Sequence, residues 1–464
     1  MAVQHFSVDS FILSAGKHCR LDQKYTSFTQ INDWVVFDTK YDQVRLADLL
    51  LELPIVKCKK GELEEEALLV NISDQAQRSG ELENVESTSE IGSDKNYLGD
   101  ADIFISKLGM PKGYIFVNTL KGQNVLGSSE FIPYGIKNSN LTKYLKYILL
   151  HPKALNAYAS LESGKTPSHK RVNPYEFLKI KIPLIPQETR EELTSKIDPI
   201  EQGIKKIKSR IMPAVEVINN VFIRELGFDV TKFEQAQNER FFEVNLSDIN
   251  TTLLRSTTVQ SNYKAKYLKA FLTKNSFFLK DILKKPIKRG KQPEYTESGV
   301  VVIKTLNIQN GKINYDEVQY ISEEYLKKNE EKAGIYKNDL LLTSTGMGRG
   351  KFALYDDDEV CFADSHVSII RIDERLVLPH FLNYYCQSFF GLEQLKYIEM
   401  QIKGTPEIYE AQLNYFQIPN IHPSAQKKIV DEIKTELDKQ EAIRQEILRE
   451  RSKIDEIIEK AMRQ

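Results

Sequence analysis

Short apolar runs broken by glycine, proline and charged positions fill most of the chain. Leu68 to Val70, Ile103 to Ile105 and Tyr114 to Val117 have the length and bounding residues of strands, and so do Val300 to Ile303, Leu340 to Leu342 and Phe352 to Leu354. Longer mixed tracts lie between Ser128 and Gly164 and between Ser365 and Gly404. They predict one or two helices each, most clearly over Leu141 to Leu150. Two further segments have another period. Leu193, Ile197, Ile200, Ile204, Ile207, Ile211, Val215 and Ile218 alternate spacings of four and three apart from one further four, which is a coiled-coil seam. Ile433, Leu437, Ile447, Ile454, Ile458 and Ala461 form a second seam, interrupted by Gln440, Arg444 and Arg451. The two helices are expected to pair. From Glu188 to Leu226 the first would be roughly 58 Å long if unbroken, at about 1.5 Å per residue. Pro199 and Pro213 threaten a kink, and Gly227 supplies a stop before a linker that runs to about Asn262.

The chain repeats itself. Asp102 to Ser106 matches Asp339 to Thr343, and Gly109 to Gly113 matches Gly346 to Gly350, both at an offset of 237. Asn71 and Ile72 pair with Asn307 and Ile308, and Ile182 and Pro183 with Ile418 and Pro419, at 236. Ser163 to Pro167 resembles Lys403 to Pro406. A constant offset over this span means two copies of one unit. Each copy holds strands, then helices, then a seam, so the fold class is α+β with two mixed domains.

Composition narrows what the units do. The 464 residues carry 64 Lys+Arg against 65 Asp+Glu, a net charge of -1, so only local clusters of cations could bind a polyanion. The four cysteines have no CxxC spacing, which argues against a disulfide framework or a thiolate zinc site and fits a reducing, cytoplasmic setting. No secretory start and no run of about 18 apolar residues is visible, so neither export nor a membrane span is expected.

No catalytic constellation is visible. Asn173, Pro174, Tyr175 and Glu176 approach the Asn-Pro-Pro-aromatic loop with which amino-methyltransferases hold a flipped base, but the second proline and a glycine-rich cofactor turn are missing. Gly164, Lys165 and Thr166 lack P-loop spacing. The histidines, His151, His169, His366 and His380 among them, show no metal-ligand pairing and read as surface or core residues.

Basic loops are the stronger signal. Between Lys264 and Lys291 lie ten Lys/Arg and one acid, Asp281, interleaved with Tyr263, Tyr267, Phe271, Phe277 and Phe278. The stretch from Lys264 to Lys274 reads as a solvated helix face with core aromatics. Lys288, Arg289 and Lys291, with Gly290 and Pro293, read as a loop whose cations reach DNA. Lys112 and Arg349 occupy the same place between paired glycines, with Lys351 just beyond. Lys165, Thr166, Ser168, His169, Lys170 and Arg171 surround one repeated loop, and Lys403 and Thr405 the other. A cation on a glycine turn is ordinary once; its recurrence points to DNA.

Taken together, Gly164 to Pro167 through Lys179 to Gln187, and Lys403 to Pro406 through Phe416 to Pro419, each followed by a seam, resemble the specificity subunits of Type I restriction-modification systems. The resemblance covers nearly the whole chain. Around Ile182 to Gln187 and Ile418 to Pro423 it keeps only part of the family's Ile-Pro-Leu-Pro-Pro-Leu pattern. It implies target-recognition domains over residues 1–186 and 228–423, the latter with an N-terminal linker, and antiparallel spacer helices over 187–227 and 424–464. It also implies a non-catalytic subunit that reads a bipartite double-stranded DNA target. Two methyltransferase subunits would methylate adenine with S-adenosylmethionine, and motor and nuclease subunits using ATP and Mg can join, so the cofactors belong to partners. A stand-alone adenine methyltransferase and a coiled-coil scaffold that does not read DNA are the alternatives.

Overall fold

The computed structural model describes residues 22–164, 170–238, 266–309, 311–346, 348–398, 400–402 and 405–463. It divides into two compact units, residues 1–209 with 445–464 and residues 210–444.

In the first unit a four-stranded antiparallel sheet has the order Leu50–Glu52, Phe131–Ile136, Ile103–Ser106, Ile115–Val117. A five-stranded sheet of Lys57–Cys58, Lys95–Tyr97, Val125–Ser128, Ala67–Val70 and Glu86–Thr88 contains one parallel pair, Ala67–Val70 beside Val125–Ser128. The helices Thr142–Leu150 and Pro152–Leu161 follow, with Tyr144, Leu145, Ile148, Leu149, Tyr158 and Leu161 buried. Pro152 stands at the first turn of its helix, where no N–H is needed, and the His151 ring accepts from the Lys153 N–H as its cap. The string at Asn173 is likewise a helix start: Asn173 Oδ1 accepts from the Tyr175 N–H. Lys181–Pro183 then pairs with Gln43–Arg45.

The second unit repeats this. Its antiparallel sheet has the order Lys288–Arg289, Val367–Ile370, Leu340–Thr343, Phe352–Leu354. A second sheet of Gln319–Ile321, Val300–Ile303, Cys361–Ala363 and Gly334–Ile335 again holds one parallel pair, Val300–Ile303 beside Cys361–Ala363. The helices Pro379–Gln387 and Phe389–Ile398 follow, and Gln417–Pro419 pairs with Ser276–Phe278. From Ile103 onward the starts of equivalent strands and helices stand 236 or 237 residues apart. The sequence offset is thus an offset of topology.

The first seam departs from one long helix. Gln187–Lys208 runs through Pro199, but the chain breaks at Ser209 to Pro213 and restarts as Ala214–Leu226, ending at Gly227 with φ 65°. The 58 Å that an unbroken helix would span is divided between two shorter helices, and the break falls at Pro213, one of the two prolines expected to kink it, which cannot donate into a helix continued from Ser209. The apolar face also changes phase. Val215, expected on the seam, is exposed, whereas Ile218, also expected there, is buried together with Val217, Val221 and Phe222. The C-terminal helix, Pro423–Arg463, is continuous.

Within the first unit, Leu193 and Ile197 share a core with Ile458, Ala461 and Met462, while Ile204 and Lys208 line a cavity with Arg451 and Ile454. Within the second, the Met212 N–H donates to Gln440 Oε1 at 2.8 Å, and Arg224 pairs with Glu432. Both sets run antiparallel. Gln440, which interrupts the second seam, satisfies a backbone N–H that the break leaves unpaired.

The expected linker after Gly227 is in part a packed element. Val230–Asn238 is helical, and Phe228 sits among Phe271, Phe389 and Phe390 at 4.9 to 5.6 Å between ring centroids. Lys266–Thr273 is a helix, with the partly buried Tyr267 and Phe271 against the core. The rest of the linker lies outside the described residues.

Candidate nucleic-acid interface

In the first unit, strand Ile103–Ser106 ends in a tight turn. Gly109 and Gly113 both take left-handed backbone, φ 66° and 80°, around a single turn of 3-10 helix from Met110 to Lys112. This projects Lys112 into solvent. The conformation is one that glycine adopts without strain. The loop expected to bear Lys165 to Arg171 is closed by reciprocal backbone hydrogen bonds between Ser163 and Arg171 at 3.0 and 2.9 Å. Arg171 also bridges Leu108, and the Val172 N–H donates to the Lys107 carbonyl. The glycine turn and the loop are therefore stitched together at one end of the sheet. Lys165, Thr166, Ser168 and His169 lie outside the described residues. Lys170 is exposed, and with Lys112 it faces Glu162, whose carboxyl burial pushes up while both lysines pull it down.

Arg171 has a structural task in the loop. Its Nε and Nη2 donate to Glu130 at 2.8 to 3.1 Å. The Glu130 carboxyl is held below its ordinary range, first by that hydrogen bond and then by Lys107.

The second unit builds the same corner. Leu340–Thr343 ends at Gly346 and Gly350, φ 83° and 81°, with Arg349 half-buried between them and Lys351 exposed. The hairpin Met400–Ile402 with Thr405–Glu407 brings its base beside this turn, since Glu407 bridges Thr345 and the Ile408 N–H donates to the Ser344 carbonyl. Thr405 pairs with Ile402 in that hairpin; Lys403 lies outside the described residues. Leu108 and Thr345 stand 237 apart, Arg171 and Glu407 236 apart, so the contact itself is repeated.

The cations at 288–291 do not form the free loop expected of them. Lys288 and Arg289 are a strand paired with Ile369 and Ser368. Arg289 donates to Glu407, to Glu410 at 2.9 Å and to the Ile408 carbonyl at 3.1 Å, with its side chain only 25% exposed. Lys288 Nζ reaches Glu331, and Lys291 Nζ donates to Asn329 Oδ1 at 2.6 Å. Strand pairing wins here because the edge position completes the Val367–Ile370 ladder, and the guanidinium then meets two carboxylates. Arg289 is thus a strut that fixes the hairpin base.

The residues that sequence reasoning missed are the strut's partners. Glu407 is kept ionised first by Arg289, with a smaller pull from His366, and His366 Nδ1 lies 2.6 Å from Thr345 Oγ1. His366 stands 236 residues after Glu130, the partner of Arg171. The same offset that revealed the repeat would have found it. Among the described residues no group of three metal-ligating side chains occurs, and no helix is long and apolar enough to cross a membrane.

Residues 272–450 match the family model of the Type I restriction modification DNA specificity domain. That stretch of the second unit is similar to the specificity domain of Type I restriction-modification systems. The matched specificity domain takes in the second unit's glycine turn, hairpin and Arg289 strut. The internal repeat extends the same architecture to the first unit, outside the matched residues.

Three solved chains are similar to this chain in outline. One comes from work on complex assembly and conformational transition of the type I R-M system, with 14% identity, TM-score 0.40, and coverage of 92% of this chain and 98% of that one. The HsdS subunit from Thermoanaerobacter tengcongensis has 14% identity, TM-score 0.32, and coverage of 91% and 96%. The Type-I restriction-modification system S subunit from M. genitalium has 12% identity, TM-score 0.34, and coverage of 92% and 97%. No curated protein matches the chain.

Proposed function

We propose that each unit reads one half of a bipartite double-stranded DNA target, with the glycine turn and its bonded hairpin as the reading edge. The observation that carries this is the repeated corner: Leu108 to Arg171 in one unit and Thr345 to Glu407 in the other, each presenting cations around paired glycines. In this reading Lys112, Lys165, Lys170, Arg349, Lys351 and Lys403 meet phosphates or base edges. Thr166, Ser168, His169 and Thr405 shape the loop tips. Arg171, Lys288, Arg289 and Lys291 hold or flank them.

The chain directs chemistry that it does not perform. Two methyltransferase subunits supply S-adenosylmethionine and methylate adenine in the target, and motor and nuclease subunits with ATP and Mg add restriction. The test is adenine-methylation mapping of DNA from cells that express the chain with its methyltransferase subunits. Two short sequences separated by a fixed gap are expected, and Lys112→Ala or Lys403→Ala should lower occupancy of one half each. Methyl transfer by the isolated, contaminant-free chain, or a single contiguous target, would sink the proposal.

A further inference from the structure

In the first unit the counterpart of the 288–291 segment carries no arginine strut. Strand Leu50–Glu52 lies at the same edge of its sheet as Lys288–Arg289 and runs parallel to Ile103–Ser106, since both are antiparallel to Phe131–Ile136. Glu52 stands level with Tyr134 and Ile103, and the chain beyond it runs on in the direction of the Gly109 turn and the Arg171 loop. There it presents an unusual surface: Ile55 is 49% exposed and Val56 54%, with Pro54 before them and the exposed Lys57, Lys59 and Lys60 after them.

We infer that Pro54, Ile55 and Val56 form an apolar wedge against a base step of the DNA half-site read by the first unit, with Lys57 and Lys60 on the flanking phosphates. Minor-groove proteins insert such side chains between base pairs and anchor them with nearby cations. This rests on the DNA reading proposed above. Three observations support it. The segment is rigid, because Pro54 fixes its own backbone and the Val56 carbonyl accepts from the Tyr97 N–H at 2.8 Å. The side chains are β-branched and lose little rotamer freedom on insertion.

The third observation is where the charges go. Lys57 and Cys58 pair with Asn96 and Lys95, and Lys95 in turn pairs with Ser128, next to Ser129 and Glu130 at the bonded corner. The acidic run Glu64 to Glu66 leads away, for Asn124, at the other end of the Val125–Ser128 strand, donates to the Glu66 carbonyl. Of the nearer acids, Asp94 accepts from the Lys60 backbone N–H and Glu62 lies 3.9 Å from Lys59. The Glu64 to Glu66 run thus lies at the opposite end of the Val125–Ser128 strand from Lys57 and Lys95.

The test uses the full chain with its methyltransferase subunits and a duplex bearing the mapped target, with 2-aminopurine placed singly along the first half-site. Wild type should raise the fluorescence at one base step by unstacking it. Ile55→Ser with Val56→Ser should abolish that rise and weaken binding about tenfold or more, without changing the slope of log affinity against log salt. Lys57→Ala or Lys60→Ala should instead flatten that slope by about one each. Ile55→Leu with Val56→Ile should bind as wild type, which separates loss of the wedge from loss of the fold.

Wild-type affinity and fluorescence in the serine variant would overturn the wedge. So would a serine variant that still binds DNA but no longer retains the methyltransferase subunits, since the patch would then be a protein contact. A wild-type chain that binds no duplex at all would instead remove the DNA reading on which the wedge stands.

Discussion

Replacing Arg289 separates a strut from a DNA contact. Arg289→Ala removes donors to Glu407, to Glu410 and to the Ile408 carbonyl, and leaves two carboxylates facing each other without their cation. Exposed ion pairs are worth about 0.2–1 kcal/mol and shielded hydrogen bonds to charged groups roughly 1.5–3 kcal/mol. With side chains 25%, 22% and 32% exposed, this cluster falls between those limits. The expected loss is about 2 kcal/mol, or about 4–8 °C in the melting temperature of a unit of this length. Arg289→Lys keeps the charge but not the fork and should recover less than half. Circular dichroism melts give the first quantity and DNA mobility shifts across salt concentrations the second. A strut predicts that affinity falls with stability while the salt slope stays as in wild type. A phosphate contact predicts a slope flatter by about one with an unchanged melt. The second outcome would refute the reasoning and return Arg289 to the interface.

Other perturbations follow from the same geometry. Gln440→Leu should cost about 1–3 kcal/mol in urea unfolding, because the Met212 N–H loses its acceptor, whereas Gln440→Glu should keep most of it. Gly113→Ala should destabilise more than Gly122→Ala: both have positive φ, but a Cβ at Gly113 would lie 2.7 Å from Arg78 Cγ and 3.1 Å from its backbone, while Gly122 has open space. Equal midpoints would contradict this. The Arg171 hydrogen bond lowers the folded pKa of Glu130 below the ordinary 4.5, so its contribution is complete above that value and disappears as pH falls through the folded pKa. Stability should drop more steeply on acidification in wild type than in Glu130→Gln, and parallel curves would show that the pair contributes nothing.

Much of the fold was legible because the repeat preserves order and spacing. The strands at 103, 115, 340 and 352 and the glycine turns between them are local patterns, which a constant offset doubles. Pro213 warned of a kink, but the full break from Ser209 was not legible from the seam. Heptad counting registers only apolar spacing, and the stability of the break depends on Gln440, more than 200 residues away. The same holds at the interface. The recurring glycines and loop cations were visible as sequence, but Arg289 looked free because its carboxylate partners lie 118 and 121 residues further on. A cation's availability depends on what the fold sets beside it, which composition does not reveal.

The duplicated corner carries a consequence for how such chains can evolve by exchange of parts. The position that bridges the glycine turn is Arg171 opposite Glu130 in one half and Glu407 beside Arg289 and His366 in the other. A recombination event that moved only the Arg171 loop of the first half into the second would bring Arg171 against Arg289. The reciprocal event would set Glu407 against Glu130. Like charges at such contact cost stability where unlike charges contributed it. Productive crossovers must therefore carry the opposing strand with the hairpin. In each half the loop beside the glycine turn is keyed by sign to the sheet that bears it.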